Sequence, residues 1–100
     1  MNKTLEMEII DWATDRGILD QSKPTKQFSK TLEEINELYD GIMEKDVDEI
    51  ADAIGDVMVT LIIQASMWGL SATDCLTGAY QEIVKRKGIM VDGKFVKDEE

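Results

Sequence analysis

Residues 33–37 read Glu-Glu-Ile-Asn-Glu, and residues 49–56 read Glu-Ile-Ala-Asp-Ala-Ile-Gly-Asp. Both stretches lie inside longer segments whose apolar residues recur with the period of an α-helix. Residues three, four or seven apart on a helix share a face, so each stretch presents acids side by side: Glu34 with Glu37, and Glu49 with Asp52 and Asp56. Two helices that face each other with carboxylates can hold a hard divalent cation such as Mg²⁺, which prefers oxygen ligands.

Length and composition predict one domain, residues 1–100. The apolar fraction of 43% is enough for a packed core and excludes a disordered chain. A chain this short buries only about two thirds of its unfolded surface, so self-association would supplement its core. The formal net charge of −10 argues against binding nucleic acid through a basic surface, and it is compatible with binding metal cations.

Cysteine and histidine are too few for a disulfide or a zinc site. Cys75 is the single cysteine and the chain has no histidine, which excludes an internal disulfide and effectively excludes structural zinc. A reducing, cytoplasmic setting is therefore expected. The N-terminus does not read as a signal peptide, and the longest uncharged run, residues 57–73, is too short and too polar for a membrane span. No membrane association is expected.

Apolar periodicity and capping residues predict four helices, over about residues 3–16, 25–44, 47–68 and 71–86. Pro24 suits the first turn of the second helix, and Asp46 with Glu49 is a capping pair for the third. Residues 18–23 are predicted to be a connection, and Asp92-Gly93 predicts a small C-terminal hairpin. The expected fold is all-α: a four-helix up-and-down bundle with a short C-terminal hairpin or irregular tail.

The second predicted helix has two different sides. Its apolar face is formed by Phe28, Leu32, Ile35, Tyr39 and Ile42. A separate stripe carries Gln27, Lys30, Glu34, Glu37 and Gly41. This stripe has two interpretations: a solvated face, in which Lys30 and Glu34 form an i,i+4 ion pair, or one half of a metal site. The second helix alone favours neither.

The third predicted helix is apolar on more than one side. One face is formed by Val47, Ile50, Ile54, Val57, Met58, Leu61 and Ala65. The acidic stripe of Glu49, Asp52 and Asp56 continues on another side as Ile63 and Met67. A helix of this kind lies inside a bundle or a subunit interface. Its carboxylates would then be partly buried, and a buried carboxylate needs a cation or a proton.

The last turn of the fourth predicted helix is basic, with Lys85, Arg86 and Lys87 before Gly88. Cations at this end favour the helix dipole, and the glycine supplies a cap. The same cluster could bind phosphate. Both interpretations can hold at once.

The residues described so far resemble the MazG-like all-α nucleoside triphosphate pyrophosphohydrolases. The family signature is E-E-x-x-E on one helix and E-x-x-D on the next; residues 33–37 match the first motif, and Gly55-Asp56 matches the end of the second. The resemblance extends over about residues 12–97. It includes Trp12, Gln27 and Lys30 before the first motif, and Arg86 at the basic end of the fourth helix.

One position departs from the family pattern. The family glutamate three residues before Asp56 would fall at Ala53, whereas Asp52 lies one residue earlier and Glu49 one turn earlier. Asp52 and Glu49 both share the face of Asp56, so either could supply the missing oxygen. Glu49 has the competing role of a helix cap.

The resemblance implies roles for named residues. The implied metal ligands are Glu34, Glu37 and Asp56, then Asp52, with Glu49 as an outer ligand. Glu33 or Glu37 would take the proton from the attacking water. The implied substrate contacts are Gln27, Lys30, Tyr80 and Arg86. Trp12, Trp68 or Tyr80 could stack on a base, although an aromatic on an apolar face is more often part of a core.

The resemblance also implies an activity and an assembly. The reaction is Mg²⁺-dependent (or Mn²⁺-dependent) cleavage of a nucleoside triphosphate between its α- and β-phosphates, by a homodimer or homotetramer. A phosphoribosyl-ATP or dUTP hydrolase shares the same acidic architecture, so the substrate stays open. A different class of function is a catalytically silent helical module that binds a metal or a protein partner, and the departure at Ala53 favours that alternative.

Overall fold

The computed structural model describes residues 2–98. These residues form the helices α1 (Leu5–Asp15), α2 (Ile18–Gln21), α3 (Pro24–Glu44), α4 (Val47–Met67) and α5 (Ala72–Ile83). They are followed by an antiparallel hairpin of β1 (Gly88–Val91) and β2 (Lys94–Lys97). The all-α prediction is confirmed. The Asp-Gly hairpin is confirmed too, because Asp92 and Gly93 both have positive φ, at 49° and 81°, as the tight turn between two twisted strands requires.

The structure differs from the sequence prediction in two places. Residues 18–21 form the short helix α2, where a connection is predicted. The reason is Gly17, whose left-handed φ of 79° ends α1 and whose carbonyl then accepts from Gln21 N at 2.9 Å. The last helix ends at Ile83, earlier than predicted. The backbone amides of Lys85 and Arg86 donate to carbonyls three residues back, which is the pattern of a 3₁₀ turn and not of an α-helix.

Helix starts follow the capping residues of the sequence. Thr4 Oγ1 accepts from Met7 N, Asp46 Oδ1 from Glu49 N and Ser71 Oγ from Asp74 N. Pro24 occupies the first turn of α3, where its missing N–H costs nothing. The local signals therefore place the start of each long helix.

In the turn between α3 and α4, the backbone amide of Asp46 is bonded within the turn. In a full capping box this amide would donate to the side chain of Glu49. Lys45 has a left-handed φ of 56° and donates to Ile42 O at 3.1 Å, while Asp46 N donates to Gly41 O at 3.0 Å. This is the hydrogen-bond pattern of a Schellman motif. Asp46 N is thereby satisfied by Gly41, so the Glu49 carboxylate is not needed as its acceptor.

Helices α3 and α4 lie antiparallel, and polar groups fix their contact, which we call the α3–α4 seam. Far from the turn, Gln64 Nε2 donates to Pro24 O at 3.1 Å. In the middle, Gln27 Nε2 donates to Thr60 O at 3.2 Å, and Thr31 Oγ1 lies 3.0 Å from Thr60 Oγ1.

Close to the turn, the seam narrows at Gly41. A Cβ at this position would lie 3.2 Å from Glu49 Cγ and 3.3 Å from Ile50 Cγ1, so glycine permits the close approach of the two helices. Between this contact and the Thr31–Thr60 contact, the antiparallel register brings Asp56 opposite Glu34. It also places Ala53 at the level of Glu37.

The polar stripe of α3, and not its apolar face, is turned toward α4. The buried residues of α3 are Gln27, Thr31, Glu34 and Gly41, whereas Phe28 on the apolar face is 57% exposed. In α4 the buried residues are Ala53, Thr60 and Ile63. The predicted apolar faces of both helices therefore lie largely on the outside of the single chain.

The core of the described chain is correspondingly small. Its buried apolar residues are Ala13, Ala53 and Ile63. The radius of gyration is 16.3 Å, whereas a compact domain of 100 residues has about 13 Å. The described residues thus form a helical arrangement with large uncovered apolar faces.

Helix α4 is long and apolar enough to cross a membrane, judged by length and composition alone, with a mean hydropathy of 1.5 over its most apolar 18 residues. A mostly buried core helix of a soluble protein meets the same criterion, whereas 17% of this window is buried within the single chain. Asp56 and Thr60 lie on the side of α4 that contacts α3, and that side is paired through polar groups. These contacts fit a helix inside a bundle.

One carboxylate joins the first helix to the start of the last. Glu6 accepts from Thr73 Oγ1 at 2.7 Å, from Thr73 N at 3.2 Å and from Ser71 Oγ at 3.1 Å. The hydrogen bonds from Thr73, with further bonds from Ser71 and the backbone, lower the pKa of Glu6 because they favour its charged form. Glu6 thereby holds the N-terminal turn of α5 beside α1.

Candidate metal centre

Three carboxylates converge on the α3–α4 seam. One oxygen each of Glu34, Glu37 and Asp56 lies within 4.8 Å of the others. Glu34 and Glu37 come from adjacent turns of α3, and Asp56 comes from the facing turn of α4. Hard divalent cations prefer such oxygen donors, so the donor set suits Mg²⁺ or Mn²⁺.

Glu34 is the buried member of this group, with 7% of its surface exposed. Its Oε1 lies 3.3 Å from Lys30 Nζ, while its Oε2 is buried and has no hydrogen-bond partner among the described residues. A buried carboxylate oxygen without a partner is costly. The cost disappears if this oxygen binds a cation, so the residues present fit a metal centre.

The electrostatics of Glu37 show the repulsion that a cation would relieve. A hydrogen bond with Glu34 and the negative charge of Glu34 raise the pKa of Glu37, and the charge of Glu49 adds to this, while Lys30 opposes it. The pKa of Lys30 is raised in turn, mainly by its hydrogen bond and ion pair with Glu34 and then by Glu33. The centre therefore holds more negative charge than Lys30 alone neutralises.

Two of the three carboxylates, Glu34 and Asp56, border a cavity of about 240 Å³ between α1, α2, α3 and α4. The cavity is lined by both polar and apolar residues. The polar ones are Gln27, Lys30, Glu34, Asp56 and Thr60, and the others are Trp12, Ile18, Val59 and Ile63. The guanidinium of Arg16 lies 5.6 Å from the centre of the Trp12 ring and makes a cation–π contact there. The cavity thus joins an anionic end to an aromatic and aliphatic end.

The structure brings most of the predicted site residues together. Gln27, Lys30, Glu34 and Asp56 line the cavity, and Glu37 belongs to the carboxylate group. Glu33 lies at the exposed rim, with its Oε2 3.9 Å from Lys30 Nζ. Tyr80 is 61% exposed on α5 and Arg86 is also exposed, and neither lines this cavity.

The two residues proposed to replace the family glutamate are placed differently. The prediction that the carboxylates of α4 are partly buried is wrong, since Glu49, Asp52 and Asp56 are all exposed in the single chain. Asp56 joins the three-carboxylate group, whereas Asp52 and Glu49 do not. Glu49 lies against Gly41, and its charge contributes to the raised pKa of Glu37. Ala53, at the level of Glu37, is 1% exposed. A longer acidic side chain at position 53 would point into the seam beside Glu37.

Sequence reasoning missed the threonines that border the site. Thr31 and Thr60 are both buried, and Thr60 lines the cavity. Their spacing carried a signal, since Thr31 lies three residues before Glu34 and Thr60 four residues after Asp56. Each therefore shares a helix face with a carboxylate of the site.

Comparison with known proteins adds to this geometry. A sequence model of the MazG nucleotide pyrophosphohydrolase domain matches residues 22–88. The chain is also similar to an uncharacterized 18.2 kDa protein in the rep–hol intergenic region of Haemophilus phage HP1, at 44% identity over 57 residues. That alignment covers 57% of this chain and 35% of the phage protein, about a third of its length. No solved structure matches the chain.

Proposed function

The chain belongs to the family of the MazG nucleotide pyrophosphohydrolase domain, and we propose that it hydrolyses nucleoside triphosphates between the α- and β-phosphates. Water is the second reactant, and the products are a nucleoside monophosphate and pyrophosphate. The observation that carries this proposal is Glu34: a buried carboxylate with one unpartnered oxygen, beside Glu37 and Asp56, at the wall of a cavity. A solvated helix face would have no such oxygen.

In this proposal Glu34, Glu37 and Asp56 hold Mg²⁺ or Mn²⁺. When bound, the ion supplies positive charge that neutralises the triphosphate and lowers the pKa of a coordinated water. The acidic character of the chain makes such a cation necessary, since a protein with a net charge of −10 repels a triphosphate. The chain's own residues then bind, orient and deprotonate the reactants.

Among the described residues, Lys30 is the one cationic side chain on the cavity wall. Its ammonium contacts Glu34 at 3.3 Å and is still partly exposed to the cavity and to solvent. We assign it two tasks: it holds the Glu34 carboxylate in place, and it binds a phosphate oxygen on which negative charge develops.

Glu33 and Glu37 are the proposed proton acceptors for the attacking water. The pKa of Glu37 is raised in the metal-free protein, and a cation bound to its carboxylate would lower it. Glu37 is therefore the base only if Glu34 and Asp56 hold the ion without it. Glu33 lies at the rim near Lys30, where a water can reach it. Substitution of each by glutamine, with the pH profile of turnover as readout, identifies the one that takes the proton.

The substrate is proposed to lie along the cavity with its phosphates at the carboxylate end. The nucleoside would then contact the aromatic and aliphatic end, near Trp12 and Gln27. Tyr80 and Arg86 stay predictions from the family resemblance, since neither lines the cavity.

The exposed apolar faces of α3 and α4 support a further part of the proposal: the chain functions as a homodimer or homotetramer. The cytoplasmic setting stays a prediction from the single cysteine. The apolar stripe of α3 runs along most of its length and is largely exposed. A second copy with the same stripe provides a matching surface, as two-fold assemblies do.

The test incubates the protein with Mg²⁺ and a panel of NTPs and dNTPs, and identifies the products by chromatography. Equal amounts of nucleoside monophosphate and pyrophosphate are expected for at least one substrate, and none for the Glu34→Gln variant. Nucleoside diphosphate and orthophosphate as products would contradict the proposed cleavage position. No turnover of any nucleotide, with metal binding retained, would instead support the catalytically silent module.

A further inference from the structure

The polar contacts in the middle of the α3–α4 seam meet at one residue of α4. Thr60 is 4% exposed. Its hydroxyl donates to Val57 O at 2.7 Å, so Thr31 is the donor in the contact between the two threonines, whose oxygens lie 3.0 Å apart. The Thr31 hydroxyl shares its proton between Thr60 Oγ1 and Gln27 O of its own helix, 3.2 Å away. The Thr60 carbonyl accepts from Gln27 Nε2 at 3.2 Å. Two residues of α3 therefore contact Thr60, one at its side chain and one at its main chain.

This contact lies one helical turn from the metal centre. Glu34 follows Thr31 by three residues on α3, and Asp56 precedes Thr60 by four residues on α4. In each helix the threonine and the carboxylate share a face. Any sliding of α3 along α4 that separates Thr31 from Thr60 therefore also separates Glu34 from Asp56.

Apolar packing contributes little to this register. Three of the four buried residues of α3 are polar. The fourth, Gly41, has no side chain that could pack against α4. The apolar residues of α3 mostly point away from the seam and are largely exposed, and half-buried Leu38, on the same face as Glu34, is the exception. Hydrogen bonds are directional, whereas apolar contacts are not. The hydroxyl contact is thus the hydrogen bond of the seam that lies nearest to the carboxylates, and it specifies an axial position there together with the bond from Gln27 to Thr60 O.

We propose that Thr31 and Thr60 are positioning residues of the metal centre, whose hydroxyl contact sets the register at which Glu34 and Asp56 reach the same cation. This inference rests on the proposed function, because it assigns a role toward the cation that the three carboxylates hold. The threonines touch neither the cation nor the reacting atoms. They act through Glu34 and Asp56.

A positioning role and a merely structural role predict different effects of valine. Valine has the shape of threonine without the hydroxyl. Replacing both partners of a buried hydrogen bond by apolar groups of the same shape is nearly neutral or stabilising. The Thr31→Val/Thr60→Val variant should therefore be as stable as the wild type or more so. Its cation affinity should fall about tenfold or more, as for outer partners that orient metal ligands.

The experiment measures Mn²⁺ binding by isothermal titration calorimetry and, on the same samples, unfolding by denaturant. It compares the wild type with Thr31→Val/Thr60→Val and with the hydroxyl-retaining control Thr31→Ser/Thr60→Ser. We expect the valine variant to lose affinity without losing stability, and the serine variant to keep an affinity near that of the wild type. Thr60→Val alone is the variant to use if the double variant does not fold. Thr31 Oγ1 then keeps Gln27 O as an acceptor at 3.2 Å, so affinity should again fall without an equal loss of stability.

Two outcomes overturn the inference while the proposed function stands. One is unchanged Mn²⁺ affinity in the folded valine variant. The other is a loss of affinity accompanied by an equal loss of stability, which marks a merely structural role. A wild-type protein that binds no Mn²⁺ overturns the proposed function, and the positioning role with it.

Discussion

Lys30 Nζ lies 3.3 Å from Glu34 Oε1, and the second oxygen of the same carboxylate is buried without a hydrogen-bond partner among the described residues. Only one oxygen of the Glu34 carboxylate therefore has a partner of opposite charge. One oxygen of this carboxylate lies within 4.8 Å of an oxygen of Glu37 and of Asp56, which add further negative charge. A cation bound at this point would give each carboxylate a partner, and the predictions below follow from that arrangement.

Glu34→Gln should lower Mn²⁺ affinity at least about tenfold, because it removes the charge of the buried ligand. Calorimetry with Mn²⁺ alone measures this without reference to any substrate. Asp40→Asn is the matched control, since it removes one negative charge from an exposed position on the same helix outside the carboxylate group. Equal affinities in the two variants would show that Glu34 is not a ligand.

Glu49→Gln should weaken Mn²⁺ binding more than Asp52→Asn does. Glu49 lies against Gly41 and acts on the charge of Glu37, and its capping partner Asp46 N is already bonded to Gly41 O. Both substitutions remove one charge from α4, so the difference between them reports position. If Asp52→Asn has the larger effect, the assignment of the additional carboxylate is reversed.

Glu37 should make the metal-free protein less stable as the pH rises. Its pKa is raised in the folded state above the ordinary value of 4.5. The folded state therefore binds the proton more tightly than the unfolded state, and the stability that this provides is present below pH 4.5 and is lost as the pH rises through the raised pKa.

The measurement for Glu37 is the melting temperature in EDTA at a series of pH values, for the wild type and for Glu37→Gln. The glutamine variant cannot titrate at this position, so the difference between the two curves isolates Glu37. The melting temperature of the wild type should fall relative to that of the variant as the pH rises, and saturating Mg²⁺ should reverse this fall. A difference that is constant with pH would refute the prediction.

Ile35→Lys should dissociate the proposed assembly, because it places a charge in the exposed apolar face of α3. The substitution makes the chain less negative, so greater repulsion between copies cannot explain a dissociation. Asn36→Lys is the control, since it adds the same charge at the neighbouring position outside that face. Light scattering after size exclusion gives the mass. A wild type that is monomeric at all concentrations would exclude the assembly.

Local features of this fold are readable from the sequence because they depend on neighbours along the chain. Thr4, Asp46 and Ser71 start helices by accepting amide hydrogens three residues ahead. Asp92-Gly93 forms the hairpin turn because both residues tolerate positive φ. The short helix α2 escaped prediction, since its four residues have too little periodicity to be distinguished from a connection.

The candidate site was partly readable for the same reason. Glu34 and Glu37 are neighbours on any helix, and so are Asp52 and Asp56. Helical spacing alone does not separate Asp56 from Asp52, because both share a broad face of α4. The register between α3 and α4 makes that distinction, and it depends on Thr31, Gln27 and Thr60, which contact one another across 29 residues or more of sequence.

The sequence by itself determined the four longer helices, their caps, the hairpin turn and the two acidic stretches, since each arises from interactions within a few residues. Only the tertiary structure decided which side of each helix turns inward. In α3 that side is the polar stripe, with Glu34 buried and Phe28 exposed. A helix pattern defines two sides but not the partner of each. The outcome depends on contacts made by another helix, here the hydrogen bonds from Gln27 and Thr31 to Thr60.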